Sequence, residues 1–387
     1  MKKSISPIDT STILIRIFVS LFFVILWLPL VQMHFPFIPE VNSNEKRTLT
    51  QKPSIRQMIH PYFDPYWYAT LYNHYFNYHY GFRNSLIRLN SILHLTIFNT
   101  SPTPVVIIGN HGWLMYNSPT DGVNLKDYYG NANFTENELK KIKNRIIDIN
   151  EELKKRKIHF LLAVAPNKHV IYPEYLPANI RQAEGRKTRL DQVTQTLNNS
   201  DVDFIDLRLR LRDEKKQNTD PLYYRTDTHW NALGAFFAYE EIMTHLRRTY
   251  PGIKQLNRDD FIIRSEENKG MGDLANLLNM SGLLSDTSIK LTPKIKFIAL
   301  PVPVPADHAS GTEGDTVGFQ VQNLDLPGLV MFHDSFGDSL IPYLSEGFSK
   351  SIYISSGKID FSIITREKPS IVIFEITERK LGNLGDL

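Results

Sequence analysis

The apolar positions change their pattern twice along the chain, and each pattern predicts a different kind of element. From Ile17 to Pro39 the stretch IFVSLFFVILWLPLVQMHFPFIP contains no Asp, Glu, Lys or Arg. With Ile13, Leu14 and Ile15 ahead of it, this run approaches the roughly 20 residues that a helix needs to cross a bilayer. Lys2, Lys3 and Arg16 precede it, which predicts a cytoplasmic N-terminus and export of everything beyond. The apolar run is long for a signal peptide and no small-x-small cleavage site follows, so an uncleaved anchor is the preferred reading over a cleaved signal. Pro36 to about Pro65 is rich in proline, asparagine and lysine and reads as a linker. The aromatic stretch YFDPYWYATLYNHYFNYHYGF follows. After Gly81 comes helical spacing, with Leu86, Ile87, Leu89, Ile92, Leu93 and Ile97 as its apolar positions. The Tyr and His residues here suit a sugar-stacking surface, but an aromatic-packed helical pair is the simpler expectation.

Beyond Pro104 short apolar runs alternate with amphipathic stretches. VVIIG and GWLMY read as strands, Glu136 to Lys157 as a charged amphipathic helix, and IHFLLAVAP as a buried strand. Further helices are expected at Arg186–Asn198, Ala232–Arg248 and about Asp338–Phe348. Further strands are expected at VDFIDL, GLVMF, SIYIS and SIVIFEI, with a helix before the last. Strands this apolar need cover on both faces, so the pattern predicts an α/β fold, a three-layer α/β/α arrangement around a mostly parallel sheet. Residues 265–326, rich in Gly, Asn, Ser and Pro, read as an insertion. The expected organisation is an anchor over residues 1–35, a linker and helical region over 36–100, and a main domain over 101–387.

Composition removes some chemistry. The 387 residues carry a formal charge of only +3, spread along the chain, so nucleic-acid binding is not expected. There is no cysteine, which excludes disulfides, thiolate nucleophiles and zinc–thiolate sites.

Two motifs invite chemistry. GLVMFHDSFGD is an apolar strand ending at Phe332, then a polar turn with Ser335, then Gly337 and a helix starting near Asp338. Such a turn presents a serine to solvent, with helix N-terminal amides nearby for an oxyanion; helix capping by Asp334 or Ser335 is the plain alternative. YYRTDTHWNALGA places Asp227 two residues before His229 at the mouth of a helix. A serine hydroxyl needs a base to take its proton, and the histidine base needs a carboxylate on its other ring nitrogen. One Asp-x-His loop supplies both. A metal site at Asp227 and His229 is the competing reading. With no H-x-x-x-H pair and no cysteine partner it lacks further ligands, so no metal or cofactor is expected. His333 is a rival base, Asn167 and Lys168 end a strand where they suit a pocket wall, with Asn167 as an oxyanion donor, or equally a structural loop, and Trp230 suits either a pocket wall or the core. Glu375, Glu378 and Arg379 read as ion pairs securing the last strand.

YYRTDTHWNALGA, FHDSFGD, AVAPNKHVIYPEYLP, VIIGNHGWLMY and KPSIVIFEITERKL together resemble the AlgX/AlgJ family, over roughly residues 40–387. Proteins of this family are SGNH-hydrolase-like and O-acetylate exopolysaccharides such as alginate. The resemblance implies Ser335 as nucleophile, His229 as base and Asp227 as orienting acid, with Asp-x-His preceding the serine. It also implies an AlgJ-like arrangement, with an anchor and no terminal carbohydrate-binding module. Tyr78 departs from the acidic residue expected in the family pattern. His333 falls on the pre-nucleophile position, which implies a supporting or substrate-side role, as for Asn167 and Trp230.

The expectation is therefore an inner-membrane, periplasm-facing O-acetyltransferase that acetylates a polysaccharide through an acetyl-serine. The resemblance implies a membrane-bound O-acyltransferase partner delivering acetyl groups. A carbohydrate acetylesterase and a non-catalytic glycan-binding or assembly protein are the alternatives.

Overall fold

The N-terminal apolar run folds as one helix, α1 (Thr10–His34), long and apolar enough to cross a membrane. The computed structural model describes residues 10–39, 50–60, 62–117, 125–180, 186–270, 272–304 and 316–387. Lys2 and Lys3 lie outside the described residues, as do 40–49 of the expected linker and 271 and 305–315 of the expected insertion. The chain forms two compact units, Met1–Pro102 with Asn276–Met280, and Thr103–Ala275 with Ser281–Leu387.

In the first unit, α2 (Pro65–His79) starts where Asp64 accepts the Tyr66 and Trp67 amides and Pro65 supplies a preset φ. Its rings contact one another along the helix, as in Tyr75–His79 and Phe76–Tyr80. After the Gly81 elbow comes α3 (Arg83–Leu93), whose only buried side chain is Ser91. The helical spacing is present, yet Leu86, Leu89 and Leu93 remain exposed. Each such side chain, about half exposed, forgoes only part of the roughly 1.5–3 kcal/mol that full burial contributes.

The second unit opens with β1 (Val106–Ile108) and β2 (Leu114–Tyr116), which pair antiparallel as a separate ribbon. The few residues between them are far too short for the crossover that parallel pairing needs, so the turn dictates a hairpin. The main sheet collects β3 (His159–Ala165), β4 (Asp203–Asp206), β7 (Leu300–Val302), β8 (Thr316–Gln320), β9 (Leu329–His333), β10 (Lys350–Ser355) and β11 (Ile371–Thr377). Between β4 and β7 in the chain, β5 (Phe261–Lys269) and β6 (Ser285–Pro293) form a separate long hairpin. Strand order is β4-β3-β11-β9-β10-β8-β7, parallel through β10 and antiparallel at the last two. The stretch 265–326, which reads as an irregular insertion, thus contributes most of a hairpin and the last two strands of the main sheet, β8 and the edge strand β7.

Alternate strand residues face opposite layers. Leu161, Ala163, Met331, Tyr353 and Ile373 join the core beneath the helix Ala232–Leu246. Phe160, Leu162, Val330, Phe332, Ile352 and Phe374 join the core beneath the helices Glu136–Lys155, Arg189–Leu197 and Phe361–Glu367. A helix at Arg208–Gln217 escapes the hydrophobic pattern because its buried face includes Arg208, paired with Asp191 and Asp206, and Glu214, paired with Arg210. The helix expected from Asp338 to Phe348 is broken into short turns at Gly337–Leu340, Ile341–Leu344 and Ser345–Gly347. Pro342 supplies no amide there to continue the preceding turn.

Candidate active site

Three side chains from two loops meet at the carboxyl edge of the sheet. Ser335 follows β9 and is exposed, with buried Asp334 and Phe336 on either side of it. Its Oγ lies 2.8 Å from His229 Nε2, and His229 Nδ1 lies 2.6 Å from Asp227 Oδ1. A carboxylate only accepts, so Nδ1 carries the proton and Nε2 is left to accept from the serine hydroxyl. Burial pushes the Asp227 pKa up, but the hydrogen bond and charge of His229 and the amides of His229 and Asp273 outweigh it, leaving the pKa at about 2. Asp227 is therefore ionised at neutral pH, as an orienting acid must be.

The loop carrying this pair is held by three charged side chains, buried Lys168 and Asp286 and part-exposed Asp273. Lys168 Nζ donates to the carbonyls of Tyr224, Arg225 and Asp227 at 3.0, 3.1 and 2.6 Å. Burial pushes the Lys168 pKa down to about 7, against the pull of Asp273, Asp227 and Asp286. Asp286, on β6, accepts the amides of Arg225 and Thr226, both at 2.9 Å, and the Thr226 hydroxyl. Asp273 accepts the amide and hydroxyl of Thr228, and donates its own amide to Asp227 Oδ2 at 2.9 Å. Asp227, His229 and Asp273 bring one ligand-type atom each within 4.8 Å of one another. Their carboxylates already accept these N–H and O–H donors, which makes the cluster a hydrogen-bonded acid–base chain.

The serine turn is organised by the end of β11. Asp334 Oδ2 accepts the Thr377 amide at 3.0 Å and the Thr377 hydroxyl, and lies 3.4 Å from Lys380 Nζ. Burial raises the Asp334 pKa, but Lys380, Arg379 and these donors overcome it and the net shift is downward. The Asp334 amide donates to Glu375, and the Asn167 amide to Glu378 at 3.0 Å. Burial pushes Glu375 well above the carboxylate range and Glu378 to about 8. These two glutamates receive loop amides from the serine and Asn167 segments. Among the described residues neither glutamate forms an ion pair, so this amide binding stands where ion pairing was expected. Arg379 lies over the rings of Phe336 and Tyr116, at 5.0 and 5.7 Å.

The other expected site residues lie around the serine turn and the Asp227–His229 loop and differ in what they do there. Trp230 is 1% exposed and its indole donates to the Phe336 carbonyl at 3.1 Å, so it braces the serine turn from the core and walls no pocket. His333 is 2% exposed, with Nδ1 at 2.8 Å from the Asp334 carbonyl, and sits under the turn. A Cβ at Gly337 would stand 2.4 Å from His333 Cβ, so glycine is needed there for this close approach and not for an unusual φ. The helix-start amides expected to serve an oxyanion are already used: Phe336 donates to Asp334 Oδ1 and Gly337 to the Asp334 carbonyl, each at 3.0 Å. Asn167 is buried and lines a small recess with Lys168, Thr228 and Arg379. Beside Ser335 opens a cleft of about 640 Å³ with His333, Ser356, Lys358, Lys380 and Asn383 on its walls. Asp273 and Asp286 carried no signal in the sequence, because they lie in the stretch that reads as an insertion.

Comparison with known proteins adds a family and a fold. The ALGX family, described as "SGNH hydrolase-like domain, acetyltransferase AlgX", matches residues 106–299, half of the chain. That segment includes Asp227 and His229; Ser335 comes from the chain beyond it. The "Probable alginate O-acetylase AlgJ" of Pseudomonas aeruginosa is 24% identical over 344 residues, which cover 81% of this chain and 81% of that protein. The protein of the same name from Pseudomonas syringae pv. tomato is 26% identical over 195 residues, 50% of this chain and 46% of that one. Among solved structures, PatB1 of Bacillus cereus superposes with a TM-score of 0.52 at 20% identity, covering 72% of this chain and 97% of that chain. Its sulfonyl-adduct form gives 0.53 at 19% identity, covering 73% and 97%.

Proposed function

The chain belongs to the AlgX family of SGNH hydrolase-like acetyltransferases, and from that premise we propose that it O-acetylates a polysaccharide through an acetyl-Ser335 intermediate. The continuous hydrogen-bonded chain from exposed Ser335 through His229 to ionised Asp227 is the observation that carries this reading. His229 Nε2 takes the hydroxyl proton as Ser335 Oγ attacks the acetyl carbonyl carbon, and returns it to the departing donor. A sugar hydroxyl then loses its proton to the same nitrogen and attacks the acetyl-serine. Ser335 leaves with that proton, and the acetyl group ends on the sugar. Asp227 stays ionised throughout and stabilises the imidazolium.

With the Phe336 and Gly337 amides engaged, the side-chain amide of Asn167 is the oxyanion donor we assign. The cleft beside Ser335 gives the acceptor its approach. The names of the AlgJ relatives and the family description support a polysaccharide acceptor. An apolar N-terminal helix supports anchoring in the inner membrane, with the site on the periplasmic side. Acetyl groups would then reach the site from a membrane-bound O-acyltransferase.

The test is to supply a surrogate acetyl donor with a panel of polyuronate, glucan and amino-sugar oligomers and weigh the oligomers. A gain of acetyl mass on at least one of them, abolished by Ser335→Ala, is expected. Rapid donor hydrolysis with no oligomer gaining mass would make the protein an esterase, and no donor turnover at all would make it a binding protein.

A further inference from the structure

The helix α3 of the N-terminal unit has two opposite faces with opposite fates. At 100° per residue, Asn84, Arg88 and Ser91 share one side. That side is occupied: Arg88 donates to the Asn279 carbonyl at 3.2 Å, Asn279 donates to the Asn84 carbonyl at 3.1 Å, and Ser91 is buried. Leu86, Leu89 and Leu93 share the other side, 48%, 50% and 39% exposed, and Ile97, 66% exposed, follows in the π-helical turn His94–Phe98. An amphipathic helix whose polar face packs and whose apolar face stands open is inverted relative to a helix on a soluble core.

The same unit fixes where that face sits along α1. A Cβ at Gly81, in the elbow that leads into α3, would lie 2.2 Å from the Pro29 carbonyl and 2.7 Å from Gln32 Cβ, so the elbow is pressed against the last turns of α1. Phe82 meets Phe37 edge-on at 5.9 Å, and the Gln32 side chain ties back the amides of Phe37 and Ile38. With Arg16 on the cytoplasmic side of the span, roughly 20 residues from Ile17 reach the far edge of the hydrocarbon at about Pro36. The elbow, against Pro29 and Gln32, is thereby held within about two turns of that edge. Tyr66 and Trp67, 83% and 50% exposed at the start of α2, are the residue types that favour this depth.

We infer that α3 lies in the outer interface of the bilayer that α1 crosses, with Leu86, Leu89, Leu93 and Ile97 buried among the lipid chains. This rests on the reading of α1 as a membrane span. The face is apolar, belongs to the same compact unit as the span, and carries none of the charge that an ionic partner would read. Its consequence is that the anchor is a span plus a surface helix, which restrains the unit's tilt as well as its distance from the membrane.

The chain has no cysteine, so single-cysteine variants accept a nitroxide label without further changes. Full-length Leu89→Cys, Leu93→Cys, Ile25→Cys on α1 and Leu209→Cys, an exposed control in the second unit, would be reconstituted in phosphatidylethanolamine–phosphatidylglycerol nanodiscs. Collisions with oxygen and with a water-soluble nickel complex would then be compared. The expected result is that labels at 89 and 93 collide with oxygen and exclude nickel, as at 25, while 209 does the reverse. Nickel access at 89 and 93 equal to that at 209, with 25 still lipid-like, would overturn the inference and leave the face for a protein partner. Labels at 89 and 93 shielded from both reagents, with spin–spin broadening, would overturn it in favour of a second copy of the chain. Water-like behaviour at 25 would remove the span itself, and the inference with it.

Discussion

Two loops at the sheet edge each carry an aspartate and a histidine within three residues, and they do opposite things with them. In the Asp227–His229 loop the histidine is part-exposed, with one ring nitrogen on a carboxylate and the other on a serine hydroxyl. In the His333–Ser335 turn the histidine is buried against its own backbone, and the aspartate collects the Thr377 amide and hydroxyl. Residue type is the same in both, so surroundings decide role. The first loop keeps its side chains poised because its backbone is held by Lys168, Asp273 and Asp286; the second spends its side chains holding its backbone in place.

The largest expected effect breaks this comparison at the histidines. His229→Ala should lower acetyl-donor turnover by about 10⁴-fold or more, as for a member of a unit that acts together. His333→Ala should cost about tenfold through a displaced serine. Steady-state rates on a generic acetyl ester check both, and a reversed order would reassign the base.

A smaller effect tests what holds the first loop. Lys168→Met removes three donors to the loop carbonyls, and a misplaced Asp227–His229 pair should cost about 100-fold in turnover. Its pH signature follows from burial, which lowers the Lys168 pKa to about 7. As pH rises past 7 the ammonium loses a proton and a donor, so turnover should decline through a limb centred there, and that limb should vanish in Lys168→Met. The contribution of this group to stability has the other sign. Between about 7 and the unfolded value of 10.5 the unfolded chain binds more protons, so folding gains as pH rises across that window. Turnover should therefore decline across this limb while the wild-type melting temperature, measured relative to Lys168→Met so that the opposing titration of Glu378 cancels, rises. If they fall together, the limb reports unfolding and Lys168 is merely structural.

Much of this was legible before any coordinates. The uninterrupted apolar runs at residues 159–165 and 371–377 become the buried parallel strands β3 and β11, because strands covered on both faces leave no polar alternation. Asp227, His229 and Ser335 were readable because their types and turn positions point to one chemistry, and the two loops bring them within hydrogen-bond reach. Trp230 was ambiguous because a bulky aromatic beside a candidate base suits either a wall or a core. Only its burial and its bond to the Phe336 carbonyl separate these. The supports were not legible. Asp273 and Asp286 reach the loop through tertiary contacts from a Gly- and Asn-rich stretch with no hydrophobic period. Glu375 and Glu378 look like surface ion-pairing residues until their burial is seen. The helix Arg208–Gln217 buries charge where the pattern seeks apolar residues.

The most direct test of the central claim is to find where acetyl rests between donor and acceptor. The chain would be mixed with a surrogate acetyl donor in the absence of sugar, quenched in acid within the first turnovers, and mapped by peptide mass. The account predicts acetyl on the peptide bearing Ser335, at that residue, with none formed by His229→Ala. Acetyl carried on another side chain, or undiminished donor turnover by Ser335→Ala, would contradict it.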